Sequence, residues 1–326
     1  MIYTVMALPS GVTIALLIAA LLLFFGAVFS FFFLLYVAKR VYDGTLVREE
    51  GKWGYECSCP DDPEQMKMWN EGVLWYEENR GVMREVDITG VDGLHLHGEY
   101  YDFGGECAVI ILPGRCECLR YSCYFAKPYG EMGINVLCID MRSHGKSDGK
   151  FSTIGKMEGE DVRSWVSFLE REMGVSKVWL HAICLGGAAA FYSAVGKDAP
   201  AAIKGIVAEG PYVTFRETYK QHLIQMKKPH IVLVDLIMAR IKKETGVDYK
   251  TVAPIKLCRE YGGHILYIFG ERDQFSLPPM SEKLYRETLS KTKRIVWLPR
   301  GGHSHLRVNN TEEYDKAIKE YVGEHR

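Results

Sequence analysis

Six short apolar runs, separated by stretches with helical spacing, constrain the fold of this 326-residue chain more than any other feature. The runs lie at 107–112, 135–140, 177–183, 203–208, 264–269 and 294–298. Helical patterns lie at about 120–132, 157–173, 186–196, 279–290 and 311–323. Runs that are apolar throughout are typical of strands buried on both faces, and their alternation with helices predicts a mostly parallel α/β sheet. Two earlier runs, at 82–88 and 94–101, predict an additional hairpin.

Cys184 lies where the third run meets a helix, in a sharp turn between the small residues Ala182 and Gly186. This is the pattern of a nucleophile elbow, G-x-S-x-G, with Ala for the first Gly and Cys for the Ser. The turn holds the thiol clear of the sheet at a helix N-terminus, where the helix dipole favours the thiolate. We therefore predict that Cys184 is a nucleophile, the alternative being a buried structural cysteine.

Two later strand ends carry the partners that a nucleophile needs. Asp273 follows the fifth run, and His303 follows the sixth run after a pair of glycines. The carboxyl ends of parallel strands meet at one edge of a sheet, so these side chains should converge on Cys184. His303 would act as the base and Asp273 would orient it. Two substitutes remain open: His305 for His303, and Glu209, at the end of the fourth run, for Asp273.

Two loops border the same edge of the predicted sheet. The first run breaks at a Pro-Gly pair, where a loop can supply a donor to an oxyanion hole. We expect the backbone N–H groups of Arg115 and Leu185 to stabilise charge that develops on a carbonyl oxygen. Arg142 and His144 follow the second run, and we expect them to brace the loops structurally rather than to take part in catalysis.

Five motifs in chain order carry a resemblance to a known family: a strand ending in Pro-Gly, D-x-R-x-H-G-x-S, H-x-x-C-x-G-G, G-x-x-D and G-G-H. This order resembles the α/β-hydrolase superfamily over about residues 82–325, particularly the bacterial branch of serine aminopeptidases and monoacylglycerol lipases. The resemblance implies an eight-stranded, mostly parallel sheet with helices on both faces, and hydrolysis of an ester, amide or thioester. Pro113 stands where that family usually has His, and Cys184 where it usually has Ser. Dienelactone hydrolases, a related group, use Cys at that position.

A long insertion at about 211–263 interrupts the alternation of strands and helices. Its segment 219–243 is helical in pattern and rich in Leu, Ile, Val and Met. We predict a helical cap over the site, since hydrolases of this kind carry a cap at this place; packing helices are the alternative.

The N-terminus predicts a membrane anchor. Residues 11–38 are 28 almost wholly apolar residues, whereas a helix needs about 20 to cross a bilayer. A cleaved signal peptide fits less well, because the apolar stretch is long and no basic region precedes it. Lys39, Arg40 and Arg48 follow the stretch, so the positive-inside rule predicts a cytoplasmic catalytic domain. The predicted units are a single-pass anchor over 1–42, a membrane-proximal linker over 43–80 and a hydrolase domain over 81–326.

Composition narrows the classes of function. A net charge of -1 without a long basic run argues against binding to nucleic acid. Nine cysteines, an odd number, suit a reducing compartment. The two C-x-C pairs have a shorter spacing than zinc sites use, and no phosphate-binding glycine fingerprint occurs, so we expect no metal and no cofactor.

Three functional hypotheses follow from these patterns. The first is a membrane-anchored hydrolase that cleaves an acyl ester, thioester or amide through Cys184, His303 and Asp273, with a small acyl substrate that could be a lipid. The second is a non-catalytic hydrolase fold that serves as a binding or scaffold protein. The third is an acyltransferase that uses the same site. The sequence leaves the oligomeric state open.

Overall fold

The computed structural model describes residues 10–48, 53–290 and 292–326. Its centre is an eight-stranded sheet in the order β1-β2-β4-β3-β5-β6-β7-β8. The strands are β1 Met83–Thr89, β2 His95–Tyr101, β3 Cys107–Leu112, β4 Asn135–Ile139, β5 Lys177–Ile183, β6 Ile203–Glu209, β7 His264–Gly270 and β8 Lys293–Leu298. β2 pairs antiparallel with β1 and β4, and the other neighbours pair in parallel. The predicted α/β sheet is confirmed.

The helices follow the strands in the predicted alternation. They are α1 Ser10–Leu46, α2 Pro63–Asn79, α3 Leu119–Gly130, α4 Lys156–Glu172, α5 Leu185–Ser193, α6 Phe215–Gln225, α7 Leu233–Thr245, α8 Pro254–Leu257, α9 Pro278–Glu287, α10 Leu306–Asn309 and α11 Thr311–His325, with a short 3-10 helix at Arg80–Val82.

Alternate residues of the central strands face two separate cores, because successive side chains of a strand point to opposite faces. In β3, Ala108, Ile110 and Leu112 pack with residues of α4 and α5. Val109 and Ile111 pack with residues of α2, α3 and α11 on the other face. Helices therefore cover both faces of the sheet, as predicted.

The insertion between β6 and β7 holds α6, α7 and α8. The predicted helical stretch divides into two helices, because the chain turns at Lys227, whose φ is 54°, and Pro229 lacks the N–H that a helix needs. α6 and α7 pack with the end of α1 in a third apolar cluster. The helical insertion predicted from the sequence is confirmed.

The segment 43–80 differs from the linker that we expect from the sequence. α1 continues to Leu46, and α2 packs on α3 so closely that a Cβ at Gly72 would lie 2.1 Å from the Arg120 carbonyl oxygen. Much of this segment is therefore part of the folded domain. Residues 49–52 of the predicted linker and 1–9 of the predicted anchor lie outside the described residues.

α1 is long and apolar enough from Gly11 to Leu46 to cross a membrane. Its first part presents large apolar side chains outward, among them Leu22, Leu23 and Phe29. By length and composition, a membrane span and a signal sequence both fit this helix.

Candidate active site

Cys184 lies between β5 and α5 with a φ of 51° and a ψ of -106°, a strained conformation for a residue other than glycine. The residues that follow must be small. A Cβ at Gly186 would lie 2.4 Å from the carbonyl oxygen of Leu112, and one at Gly187 would lie 2.7 Å from Pro211 Cβ. This close packing of α5 against the sheet holds the turn, and the thiol of Cys184 is half-buried at the helix N-terminus.

Asp273 and His303 form a buried hydrogen-bonded pair. Nδ1 of His303 lies 2.8 Å from Oδ2 of Asp273. The backbone N–H groups of Phe275 and Ser276 each donate to Oδ1 of Asp273, also at 2.8 Å. Both carboxylate oxygens are thus fixed, so Asp273 holds one orientation of the histidine ring.

The neighbours of His303 together affect its pKa more than its burial does. Burial alone would lower the pKa of His303, but the Cys184 thiol and the Asp273 carboxylate raise this pKa well above its usual value. The ionised sulfur acts mainly through its charge. Nε2 of His303 makes no hydrogen bond of normal geometry within the described residues. The ring therefore lies between an anion on one side and a potential thiolate on the other.

The two substitute residues have other partners. Oε2 of Glu209 accepts a hydrogen bond from the hydroxyl of Tyr314. The ring of His305 contacts α2, with Nε2 at 3.0 Å from Nε2 of Gln65 and Nδ1 at 3.4 Å from Oε2 of Glu64. The structure thus brings the first-choice acid and base together, and it engages both substitutes elsewhere.

The two backbone donors predicted for the oxyanion hole lie at the starts of two segments that follow strands. Arg115 follows the Pro-Gly break after β3, and Leu185 is the first residue of α5. Within the part of the chain that the structure describes, neither backbone N–H is bonded to an acceptor. Both groups are therefore available to a developing oxyanion.

Glu117, which the sequence analysis did not select, lies in the oxyanion loop, defined here as residues 113–118. Its Oε2 accepts a hydrogen bond of 2.8 Å from the backbone N–H of Gly114. Burial raises the pKa of Glu117 to about 7, although Gly114 and His303 oppose the shift. Burial also raises the pKa of Glu209 to about 7, Tyr314 opposes that shift, and Glu117 reinforces it. Two interacting buried carboxyl groups thus lie beside the candidate triad.

Arg142 and His144 connect the surrounding loops. The Arg142 guanidinium donates to Asp161 at 2.6 Å and to Asp92 at 2.9 Å. Nδ1 of His144 donates to the Arg142 carbonyl at 2.9 Å, and its Nε2 accepts from the Cys116 N–H at 3.1 Å. Burial lowers the pKa of His144, which suits a neutral ring with one donor and one acceptor. These contacts are of the kind that a bracing role requires.

The helical insertion reaches the candidate site through His222 of α6, a second residue that no sequence pattern indicated. Its ring stacks on Phe275 with centroids 4.0 Å apart, and Phe275 contacts the ring of His303 edge to face at 5.4 Å. Burial, followed by the charge of Arg115, lowers the pKa of His222 to about 3. A neutral, largely aromatic surface therefore borders the base.

Among the residues that the structure describes, two groups of side chains have donor atoms close enough together to hold a metal ion: Asp62, Glu64 and His305, and Glu85, His97 and Glu99. In the second group, Lys146 pairs with Glu85 and Arg120 pairs with Glu99. Cations of the protein itself therefore already balance those carboxylates. A cavity between α2 and α3 is lined by residues such as Trp75, Tyr124 and Arg307, and it includes none of the triad candidates.

This chain is similar to a known protein family and to a bacterial protein. Residues 106–260 match the family described as serine aminopeptidase, S33. Over 194 residues the chain is 24% identical to the protein YqkD of Bacillus subtilis (strain 168), a match that covers 59% of this chain. The chain spans 63% of the length of that relative.

Solved structures share the fold at low sequence identity. The esterase Pf2001 of Pyrococcus furiosus superimposes with a TM-score of 0.63 at 20% identity, covering 76% of this chain and 95% of the esterase. The esterase EaEST of Exiguobacterium antarcticum superimposes with a TM-score of 0.56 at 16% identity, covering 73% of this chain and 99% of the esterase. At these identities the likeness concerns the architecture.

Proposed function

We propose that this chain is an α/β-hydrolase that cleaves an acyl ester, thioester or amide with Cys184 as nucleophile, His303 as base and Asp273 as orienting acid. One observation carries the proposal. The buried His303 is fixed by Asp273, and Cys184, held in a strained elbow, raises the pKa of His303 through its charge. A protonated imidazole beside a sulfur is the arrangement that stabilises a reactive thiolate.

The chemistry proceeds in two steps. His303 takes the thiol proton, and the sulfur attacks the carbonyl carbon while the N–H groups of Arg115 and Leu185 bind the oxyanion. The bond to the leaving group then breaks, and the alcohol, thiol or amine departs with the proton from His303. Water, deprotonated by His303, attacks the acyl-Cys184 thioester, which releases the carboxylic acid and restores the thiol.

The location is part of the proposal. α1 would anchor the enzyme in a membrane, and Lys39 and Arg40 directly after the apolar stretch would keep the domain on the cytoplasmic side. Burial of Ala38 and Leu46 in the domain favours an anchor over a removed signal sequence, because the domain uses the end of this helix in its own core.

The substrate class follows from what surrounds the elbow. Leu185 and Ala188 of α5 share an apolar cluster with α1, α6 and α7. A site bordered by apolar side chains and attached to a membrane helix suits an acyl chain that partitions into the bilayer. We therefore propose a small acyl substrate of lipid character, without a nucleic-acid or metal partner.

Two observations favour the second candidate, a non-catalytic binding protein. Nε2 of His303 lacks a well-formed hydrogen bond within the described residues, and Cys184 replaces the serine that most members of the superfamily use. A fold that has lost its nucleophile would have both properties.

The full-length protein in detergent micelles, offered nitrophenyl esters and acyl thioesters of short and long chain, tests the proposal. Wild type should release product, Cys184→Ala should release none, and Cys59→Ser, which changes an exposed thiol, should match wild type. Activity only in Cys184→Ser would identify a serine-hydrolase site disabled at one atom. Inactivity of wild type and Cys184→Ser would favour the binding protein.

A further inference from the structure

The helix that leaves the apolar N-terminal stretch does not stop at the surface of the domain. Ala38, Val41, Tyr42 and Leu46 are exposed by 3%, 8%, 3% and 0%, whereas earlier side chains such as Leu23 are exposed by 75%. The last turns of α1 are therefore a buried element of the catalytic domain, and the preceding turns are not.

These last turns pack on the helix that begins at the candidate nucleophile. Leu46 and Tyr42 share one apolar cluster with Leu185 and Ala188 of α5 and with residues of α6 and α7. Leu185 carries one of the two N–H groups that face the proposed oxyanion. The end of α1 thus borders one half of the oxyanion hole.

A direct hydrogen bond joins the end of α1 to the other half. Nη1 of Arg115 donates to the carbonyl oxygen of Thr45 at 3.0 Å. The Thr45 hydroxyl donates to the Val41 carbonyl at 2.6 Å and accepts from the hydroxyl of Tyr219 on α6, also at 2.6 Å. Arg115 is therefore fixed to a helix end that the cap holds from the other side.

The chain just after α1 supports Cys116, the residue that follows Arg115. Arg48 donates to the carbonyl oxygens of Gly145 and Ser147 at 2.7 and 2.8 Å. Gly145 directly follows His144, whose Nε2 accepts a hydrogen bond from the Cys116 N–H. Cys116 has a φ of 68°, so this contact helps to hold a strained backbone beside Arg115.

From these contacts we propose that the end of α1, residues 38–48, sets the geometry of the oxyanion loop, with Arg115 and Arg48 as positioning residues that connect the two. The inference rests on the proposed function, because it concerns how that hydrolase stabilises its oxyanion. Its consequence is that the apolar helix is a part of the catalytic apparatus and not only a tether.

The test compares full-length Arg115→Met and Arg48→Met with wild type and with Arg171→Met, which changes an exposed residue of α4. Both positioning variants keep every backbone N–H but lose the bonds to Thr45 or to Gly145 and Ser147. We expect kcat for an acyl ester to fall about tenfold or more with KM nearly unchanged, because a displaced oxyanion donor acts on the transition state. Arg115→Lys should recover part of the loss.

Two readouts separate this inference from the proposed function. Alkylation of Cys184 by iodoacetamide needs no oxyanion, so its rate should stay at the wild-type value in both variants. Deuterium exchange of the amides of 114–118 should quicken in both and remain unchanged in Arg171→Met, even if wild type proves inactive. Unchanged exchange, or a rise in KM without a fall in kcat, would overturn the inference.

Discussion

His303 differs from an exposed histidine in the charges that surround it. The Asp273 carboxylate and the Cys184 thiol together raise the pKa of His303 well above its usual value despite burial. The raised pKa favours the protonated ring, and an imidazolium beside sulfur favours the thiolate. The reactivity of Cys184 should therefore depend on His303.

This dependence can be measured by alkylation. Wild-type Cys184 should react with iodoacetamide faster than an exposed cysteine does, and in His303→Ala its rate near pH 7 should fall about tenfold. Asp273→Asn should act in the same direction, because it removes a charge that keeps the ring protonated. Mass spectrometry of the peptides gives the rates, and the exposed Cys59 is the internal control. A Cys184 that reacts no faster than Cys59 would contradict the prediction.

Glu117 and Glu209 give stability an unusual pH dependence. Burial raises the pKa of each to about 7, so the folded protein holds protons that the unfolded chain has already lost. The stability that these groups contribute is therefore complete below about pH 4.3, the usual pKa of Glu, and is lost as the pH rises through about 7.

Glu209→Gln should reduce this effect, because an amide stays neutral and does not repel Glu117. The free energy of unfolding should differ less between pH 5 and pH 8 than in wild type, by about 2 kcal/mol. Denaturant titration at the two pH values measures the difference, with the exposed Glu312→Gln as the matched control. An unchanged pH dependence would show that the pair does not interact in this way.

Among the elements, α2 gives the sharpest test of packing. The sequence suggests a linker here, but Gly72 lies so close to the Arg120 carbonyl that a methyl group cannot fit without displacing backbone. Gly72→Ala should therefore lower the free energy of unfolding by about 2 kcal/mol or more, despite the better helix propensity of alanine. Gly81→Ala, where nothing lies within 4 Å, should have a small effect. Equal effects in thermal denaturation would mean that α2 is loosely attached.

The contrast between β3 and α2 explains what the sequence could predict. β3 is buried at every position, so its residues are apolar without interruption and its bounds agree with the prediction. α2 buries only Gln65, Met68, Gly72 and Trp75 of its 17 residues. The charged residues on its exposed face obscure the spacing of these buried positions in the sequence.

The same limit applies to the site. Asp273 and His303 could be predicted from strand ends and chain order. Glu117 and His222 could not, because their roles depend on contacts with distant segments. The sequence feature that could have indicated Glu117 is the position of this acidic residue close to the Pro-Gly break.

For the whole molecule, the positive charge after the apolar stretch of α1 predicts the orientation of the chain in a membrane. Because Lys39 and Arg40 follow the apolar stretch, protease added to intact cells should leave residues 53–326 undigested, and permeabilised cells should lose them. Immunoblotting with an antibody against the C-terminus reads the result. Digestion from outside, or a native disulfide among the cysteines, would contradict the predicted cytoplasmic orientation.

α1 has a further consequence for how the enzyme would meet its substrate. A helix of 37 residues is about 55 Å long, and a bilayer core would take up about 30 Å of it. Because the last turns pack into the domain, a helix that spans a membrane would keep the thiol near one leaflet. Encounters would then be two-dimensional. Turnover would follow the mole fraction of substrate in that leaflet and fall when inert lipid is added, while the total substrate concentration stays constant.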